Sequence, residues 1–293
     1  MQKFVILFVF LFIASLVFTM DLSFMDSAAY ISTILEVKVI DPYSDYTDSF
    51  KAEVSGSGSV IFSGWFKGHE KTFILTNHHV IEFALMKREN EEQQEEVNNA
   101  FIQLFNDKSL AIYKIEGDKR ILMDKPDESL YYEVVSARTP TAVLYYFWKR
   151  TRKILFQPEV TIEIYSADLD VAIVSLPCTG IPSLSFAEKP VVGETAYIFG
   201  APLGIPFQLT KGIIGQVHLD ADTGWVDMVR YDAAQAPGSS GSAIVNEEGK
   251  IVAIVRGSYG NMSGTAYEGQ HVGIDCRNIK DWLVLTGYSD LIQ

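Results

Sequence analysis

The stretch Asp232-Ala-Ala-Gln-Ala-Pro-Gly-Ser-Ser-Gly-Ser-Ala-Ile-Val-Asn246 sets Ser240 between two glycines, just ahead of an apolar run that reads as a strand. Gly238 lets the backbone turn so that the amide hydrogens of Gly238 and Ser240 can converge on one point, where a carbonyl oxygen under attack would become negative. That is a nucleophile's setting. The Gly-x-Ser-x-Gly elbow of another hydrolase architecture is not met, because position 242 is serine. Taken alone, the segment reads more readily as an ordinary Ser/Gly loop.

A serine hydroxyl is a weak nucleophile and needs a base, and the base needs a third group to fix its tautomer. Two segments upstream supply such groups. Phe73-Ile-Leu-Thr-Asn-His-His-Val80 puts a histidine at the end of an apolar strand, and Asp168-Leu-Asp-Val-Ala-Ile-Val174 puts an aspartate at the start of another. The order His, Asp, Ser is that of chymotrypsin, not of subtilisin or the α/β-hydrolases.

The remaining sequence fits an all-β chain. Short β-branched runs separated by Gly, Pro and Asp recur from residue 30 to 275, as at 59–62, 72–75, 171–176, 196–199, 212–217, 243–245 and 251–255. Two stretches break the rhythm. Residues 83–105 carry strong helix formers followed by Phe101, Ile102, Leu104 and Phe105, and predict an inserted surface helix. Residues 143–157 set Tyr, Phe and Trp beside four basic residues; a strand pair with a basic turn is expected there, with contact to a membrane surface as the rival reading. A closing helix is expected over 277–285.

These motifs resemble the chymotrypsin-like serine proteases, and among them the Deg-type (HtrA-like) proteases. Leu75-Thr-Asn-His-His-Val80 is similar to that family's Leu-Thr-Asn-Asn-His-Val and points to His79 over His78. Asp170-Val-Ala-Ile-Val is similar to its Asp-Leu-Ala-Val-Leu and points to Asp170 over Asp168. Gly56-Ser-Gly-Ser-Val60, Phe199-Gly-Ala-Pro-Leu-Gly204, Thr210-Lys-Gly-Ile-Ile214 and the serine motif complete the resemblance, which covers most of residues 50–285.

The resemblance implies a trypsin-like protease domain over about 30–290, with two six-stranded antiparallel β-barrels at about 35–180 and 185–275 and a cleft between them. It implies a triad of His79, Asp170 and Ser240, an oxyanion hole from the Gly238 and Ser240 amides, polypeptide substrates, and trimers as the assembly common in that family. His79 and Asp170 lie 91 positions apart, more than the family requires, so 83–157 is expected to be insertion-rich. Ser239 and Ser242 stand where the family has Asn and Gly, and the 53 residues after Ser240 are too few for a PDZ domain. The alternative, from a different class, is a catalytically silent protease fold used for binding or sensing.

For specificity, Ala234 lies six residues before the nucleophile, at the base of the primary pocket in such proteases, and brings no carboxylate to attract Lys or Arg. A small or medium apolar residue before the cut bond is expected, with Gln235 and Val255 as further pocket residues. Gly269-Gln-His-Val-Gly273 resembles the Gly-x-His stretch of viral and glutamyl-specific relatives, which makes His271 a second specificity candidate or a pocket-wall histidine. His78 reads as a packing neighbour, and His69 and His218 as surface or strand residues.

Composition excludes other classes. The net charge is −13, with no Lys/Arg cluster to track a phosphate backbone, so no nucleic-acid partner is expected. No His/Cys spacing suits a metal, since His69-Glu70 is not continued as His-Glu-x-x-His, and no phosphate loop follows Gly56 or Gly58; no cofactor is implied. The two cysteines, Cys178 and Cys276, exclude a disulfide-dense scaffold, and free thiols are expected. Lys3 followed by the apolar run Phe4–Phe18 makes residues 1–20 an export signal, either cleaved or kept as a membrane tether through residues 4–20, facing the chain out of the cytoplasm.

Overall fold

A computed structural model describes residues 22–107, 110–123, 125–127, 129–151, 157–204, 207–217, 228–260 and 266–292. The leader, most of residues 152–157 and His218 lie outside the described residues.

The two halves are built differently. In the C-terminal half six strands close into a barrel in the order β10 (Thr195–Gly200), β11 (Gln208–Val217), β12 (Met228–Tyr231), β15 (Ala266–Asp275), β14 (Ile251–Gly260) and β13 (Ala243–Val245). The pairs Tyr197↔Val245 and Ile198↔Ile244 join β13 back to β10. The short apolar runs read from sequence lie in these strands because they are buried; Ile244, Val245 and Ile251–Ile254 are fully enclosed.

The N-terminal half is not the closed six-stranded barrel expected for 35–180. It is a nine-stranded sheet. Its spine runs β5 (Lys119–Leu122), β4 (Ala111–Glu116), β2 (Thr47–Phe66), β3 (His69–Thr76), β9 (Val171–Leu176) and β8 (Thr161–Ser166), and β1 (Ala28–Ile40) pairs with β2, β6 (Tyr131–Ala137) and β7 (Thr141–Leu144). A ring is almost formed, because the lone bridge Thr141↔Glu159 connects β7 to the segment entering β8. The ladder stops there for a chemical reason. Pro140 and Pro158 flank the seam, and each can accept, from Val160 N–H at 2.9 Å and Ala142 N–H at 3.0 Å, but neither has an N–H to give.

The stretch 83–157 holds the expected helix, α2 (Glu91–Asp107), preceded by α1 (His78–Leu85). It also supplies β4 to β7, which pair with β1 and β2 or with one another. Tyr145–Thr151 is a helix, α3, in place of the expected strand pair. Tyr145 and Trp148, three residues apart, stack on one face at 5.8 Å, and Lys149 and Arg150 fall in the last turn, where the helix dipole favours cations. Lys149 pairs with Asp26 of the 3-10 turn Leu22–Ser27, which docks α3 beside the start of β1. Among the described residues no helix is long and apolar enough to cross a membrane.

The closing helix α4 (Cys276–Leu285) begins one residue before the expected start. Asp275, fully buried, caps it by accepting from Arg277 N–H at 2.8 Å and pairs with the Arg277 guanidinium at 2.6 Å. Ile279 and Leu283, four apart, fill the core beneath. Both cysteines are free thiols, and burial pushes the Cys276 thiol up to about 12.

One aromatic cluster ties the sheet to the C-terminal segment. Phe73, fully buried on β3, meets Phe66 at 4.8 Å, Phe62 at 5.9 Å and Tyr288 at 6.3 Å between ring centres. Phe73→Ala is expected to cost about 3–5 kcal/mol, read from the urea midpoint of unfolding. A loss below about 1 kcal/mol would show that the cluster does not hold the two segments together.

Candidate active site

His79 stands in the first turn of α1, and Asp170 immediately before β9. β3 and β9 are hydrogen-bonded neighbours, Thr76 opposite Ala172, so the ends of the two strands bring both residues to one edge. His79 Nδ1 lies 2.9 and 2.8 Å from the two Asp170 carboxylate oxygens, and the His79 backbone N–H donates to Oδ1 at 3.1 Å. Asn77 fixes the same turn from behind, its side-chain amide donating to the Asp170 carbonyl at 2.9 Å. Asp170 adopts φ +57, a left-handed conformation that Asp tolerates better than most side chains and that these contacts maintain.

A cation completes the surroundings of Asp170: Arg256 Nε, from β14, lies 3.4 Å from Oδ2. Burial pushes the Asp170 carboxyl up, but the His79 ring, the His79 hydrogen bonds and Arg256 together hold it below the ordinary carboxylate range.

Ser240 is buried on the far side, on the loop between β12 and β13. Its Oγ donates to the Arg256 carbonyl at 3.1 Å. His79 Nε2 is buried with no hydrogen-bond partner among the described residues, so the proton-accepting nitrogen is not spent on a competing donor. Both glycines around the serine need their missing side chains. Gly241 has φ +87, and a Cβ there would stand 2.1 Å from the Ser57 carbonyl; Gly238 has φ +94, and a Cβ would stand 2.9 Å from the Ala201 carbonyl. The Pro237 carbonyl accepts from Leu203 N–H at 2.6 Å, which in a planar trans peptide turns the Gly238 N–H the opposite way.

Ser57, on β2, is the residue that sequence reading passed over. Its N–H donates to the Ser240 carbonyl at 2.7 Å, its Oγ donates to the Gly238 carbonyl at 2.7 Å, and that Oγ accepts from Ala201 N–H at 3.0 Å. The available signal was the alternation of Ser and Gly over residues 55–59 ahead of the apolar run Val60-Ile-Phe62. Arg256, missed as well, carried no local signal, since it is an ordinary arginine in the middle of β14, at the bulge between Val255 and Gly257, until that strand is folded against the turn before β9.

The specificity candidates separate. Ala234 is exposed and Val255 is buried in the barrel core beside the serine loop. Gln235 accepts from Tyr231 O–H and donates to Ser258 Oγ at 2.9 Å, and Ser258 Oγ lies 3.0 Å from His271 Nδ1. Gln235 and His271 thus share one polar chain, and burial holds His271 below the ordinary histidine value, with Asp232 opposing the shift. His78 stacks on Tyr165 at 5.2 Å, and His69 starts β3 in an exposed position.

A carboxyl held lower in the folded than in the unfolded chain contributes stability that is full above the unfolded value, about 3.9, and is lost as pH falls through the folded value. The stability advantage of the wild type over Asp170→Asn is therefore expected to be constant down to about pH 4 and to shrink below it, in melting curves of both proteins. An advantage still undiminished at the lowest pH where both fold would contradict the arrangement around Asp170.

Residues 56–254, more than half of the chain, match the family described as the trypsin-like peptidase domain. A probable periplasmic serine endoprotease, DegP-like, of Chlamydia pneumoniae is 34% identical over 102 residues, covering 31% of this chain and 20% of that protein. The serine protease Do-like HtrA of Lactococcus lactis subsp. cremoris is 27% identical over 170 residues, covering 54% and 39%. The chain thus spans between a fifth and two-fifths of the length of these curated relatives. Among solved structures, an HtrA-type protease, AlgW with a decapeptide, superposes with a TM-score of 0.55 at 14% identity, covering 90% of this chain and 66% of that one. A protease from M. tuberculosis in its active form gives 0.50 at 15% identity, covering 89% and 81%. At such identities these two speak for the fold alone. The match over the segment that carries His79, Asp170 and Ser240 is what assigns the chain, which belongs to the trypsin-like peptidase domain family.

Proposed function

We propose that the chain is a serine endopeptidase that cuts exposed or unfolded polypeptide outside the cytoplasm. The observation that carries the proposal is the doubly hydrogen-bonded His79–Asp170 pair with His79 Nε2 buried and unengaged, joined through Arg256 to Ser240, whose neighbouring glycines both occupy positive φ.

In this reading Ser240 Oγ attacks the peptide carbonyl carbon and its proton passes to His79 Nε2. The carbonyl electron pair moves to the oxygen, which the Gly238 and Ser240 N–H groups receive. Collapse expels the amine, which takes the proton from His79. Water then attacks the acyl group by the same route, and Ser240 regains its proton. Asp170 keeps the proton of the neutral ring on Nδ1 and stabilises the imidazolium. The hydroxyl must first turn from the Arg256 carbonyl to His79, and such bonds commonly tighten only when substrate is bound. That same resting bond is the one observation that favours the rival reading, a silent binding module.

Export is supported by the apolar leader and by relatives described as periplasmic. Among the described residues no buried carboxylate is bonded to the Tyr231, Gln235, Ser258 and His271 chain, and Asp232, which acts on His271, is exposed, which supports selection against Lys and Arg before the cut bond. In a fluorogenic peptide library, substrates with Lys or Arg there should be no better than those with uncharged residues; a clear preference for them would refute this placement of the pocket.

The deciding experiment is labelling with a fluorophosphonate probe together with turnover of fluorescein-labelled casein. Ser240→Ala should abolish labelling and lower turnover by about 10⁶-fold. Turnover surviving in the mutant would sink the assignment, and wild-type protein that neither labels nor cleaves would favour the binding module.

A further inference from the structure

The hairpin β4–β5, from the long stretch between His79 and Asp170, touches the serine loop. A Cβ built on Gly238 would meet not only the Ala201 carbonyl and Leu203 N but also, at 3.5 Å, the Ala111 side chain at the start of β4. Next to this contact, Arg120 of β5 donates to the Gly204 carbonyl at 3.0 Å. Gly204 belongs to the turn whose Leu203 N–H holds the Pro237 carbonyl, and Pro237 precedes the candidate oxyanion glycine. The guanidinium fills the space that a side chain at Gly204 would need, 2.7 Å from the ideal Cβ position.

Arg120 is itself anchored in a nearly closed network. Its Nε lies 2.8 Å from Glu53 Oε2, its Nη2 donates to Tyr30 O–H at 2.5 Å, and Tyr30 donates to Glu53 Oε1 at 2.5 Å. Its plane lies over the Tyr113 ring, 4.3 Å from the centre. Glu53 and Tyr30 are buried at 6% and 4% exposure, and burial followed by Glu53 raises the Tyr30 hydroxyl, so it remains a donor. Tyr30 also packs against Ala201. Glu53 is a charge taken out of water, which is tolerated only where it is paired and hydrogen-bonded, as it is here by Arg120 and Tyr30, while the Arg120 side chain itself stays partly exposed. Here the fork has one arm on the Glu53 side and one on the backbone of the 201–204 turn, a geometry that lysine could not match.

We infer that Arg120 is a positioning residue for the oxyanion loop: it clamps the Leu203–Gly204 turn, which fixes the Pro237 carbonyl and thereby keeps the Gly238 N–H directed at the reacting oxygen. This rests on the peptidase reading above. Without the clamp the Pro237–Gly238 peptide is free to turn over, and the loss falls on the transition state rather than on substrate binding.

The test compares wild type, Arg120→Ala and the charge-neutral pair Glu53→Gln with Arg120→Gln, which leaves no unpaired buried carboxylate if the single variant does not fold. Casein turnover and fluorophosphonate labelling should fall by about 100-fold or more, the size of losing one oxyanion donor. In a Ser240→Ala background, binding of fluorescein-labelled casein should stay within about twofold of the parent. Turnover retained in a folded variant overturns the inference, and so does a loss of casein binding equal to the loss of turnover, which would mark a role in folding. If wild type itself neither labels nor cleaves while Ser240→Ala still binds casein, the peptidase reading fails first.

Discussion

Ser57 bears most directly on the candidate site, because one residue of the N-terminal sheet is hydrogen-bonded to the serine loop, to the neighbouring 201–204 turn and to its own sheet. Its N–H and Oγ reach the carbonyls of Ser240 and Gly238, its Oγ takes the Ala201 N–H, and its carbonyl accepts from Thr76 Oγ1 at 2.7 Å. Ser59 repeats the pattern two residues on, accepting from Ala243 N–H at 3.0 Å. In a strand, residues two apart share a face, so this face of β2 is a row of small polar groups set against the backbone of the other half. Buried polar groups that are paired in this way fix one register, whereas an apolar interface would tolerate sliding. The serine and the histidine come from different halves of the chain, and their separation depends on that register.

The electrostatics follow from the same closeness. Asp170 is removed from water by the junction itself, which by burial alone would favour its neutral form. A neutral Asp170 could not orient His79. The His79 ring and backbone N–H and the Arg256 guanidinium reverse the balance, and Arg256 also offers its carbonyl to Ser240. One residue within β14 of the C-terminal barrel therefore contacts both Asp170 and Ser240, so a shift of β14 would disturb both together.

What the sequence made legible divides by range. The three site segments could be read because each is a local pattern, a strand followed or preceded by a polar residue or a glycine turn, and their order added a constraint that no single segment held. The short strands of the C-terminal half and the helices at 91–107 and 276–285 followed from composition and periodicity, and the closure of those strands into a barrel followed from the family resemblance. The contacts of Ser57 with Gly238, Arg256 with Asp170 and Arg120 with Gly204 were not legible, because each spans more than 80 residues in sequence and depends on which strands become neighbours. The reading of the first half as a six-stranded barrel with an insertion failed for the opposite reason. Two prolines, 140 and 158, were visible all along, but only pairing of β7 with the approach to β8 puts both at one seam and stops the ladder there.

The residues around the nucleophile show how such a junction accommodates change. Ser242 stands where the resembled family has glycine, and its hydroxyl would collide with any side chain across from it. The position across is Gly200, where an added Cβ would lie 2.0 Å from Ser242 Oγ and 2.8 Å from Ser57 Oγ. Volume added on the serine loop is thus matched by volume absent at the end of β10. Close packing makes that pairing necessary, since a core at crystal-like density takes up even one extra methyl group only by moving backbone. Backbone movement at this spot would pass directly to Ala201, Leu203 and Gly238, the groups that set the direction of the candidate oxyanion amide. The small residues on both sides of the junction therefore act as one unit, and the Ser242 side chain is accommodated because Gly200 leaves room for it.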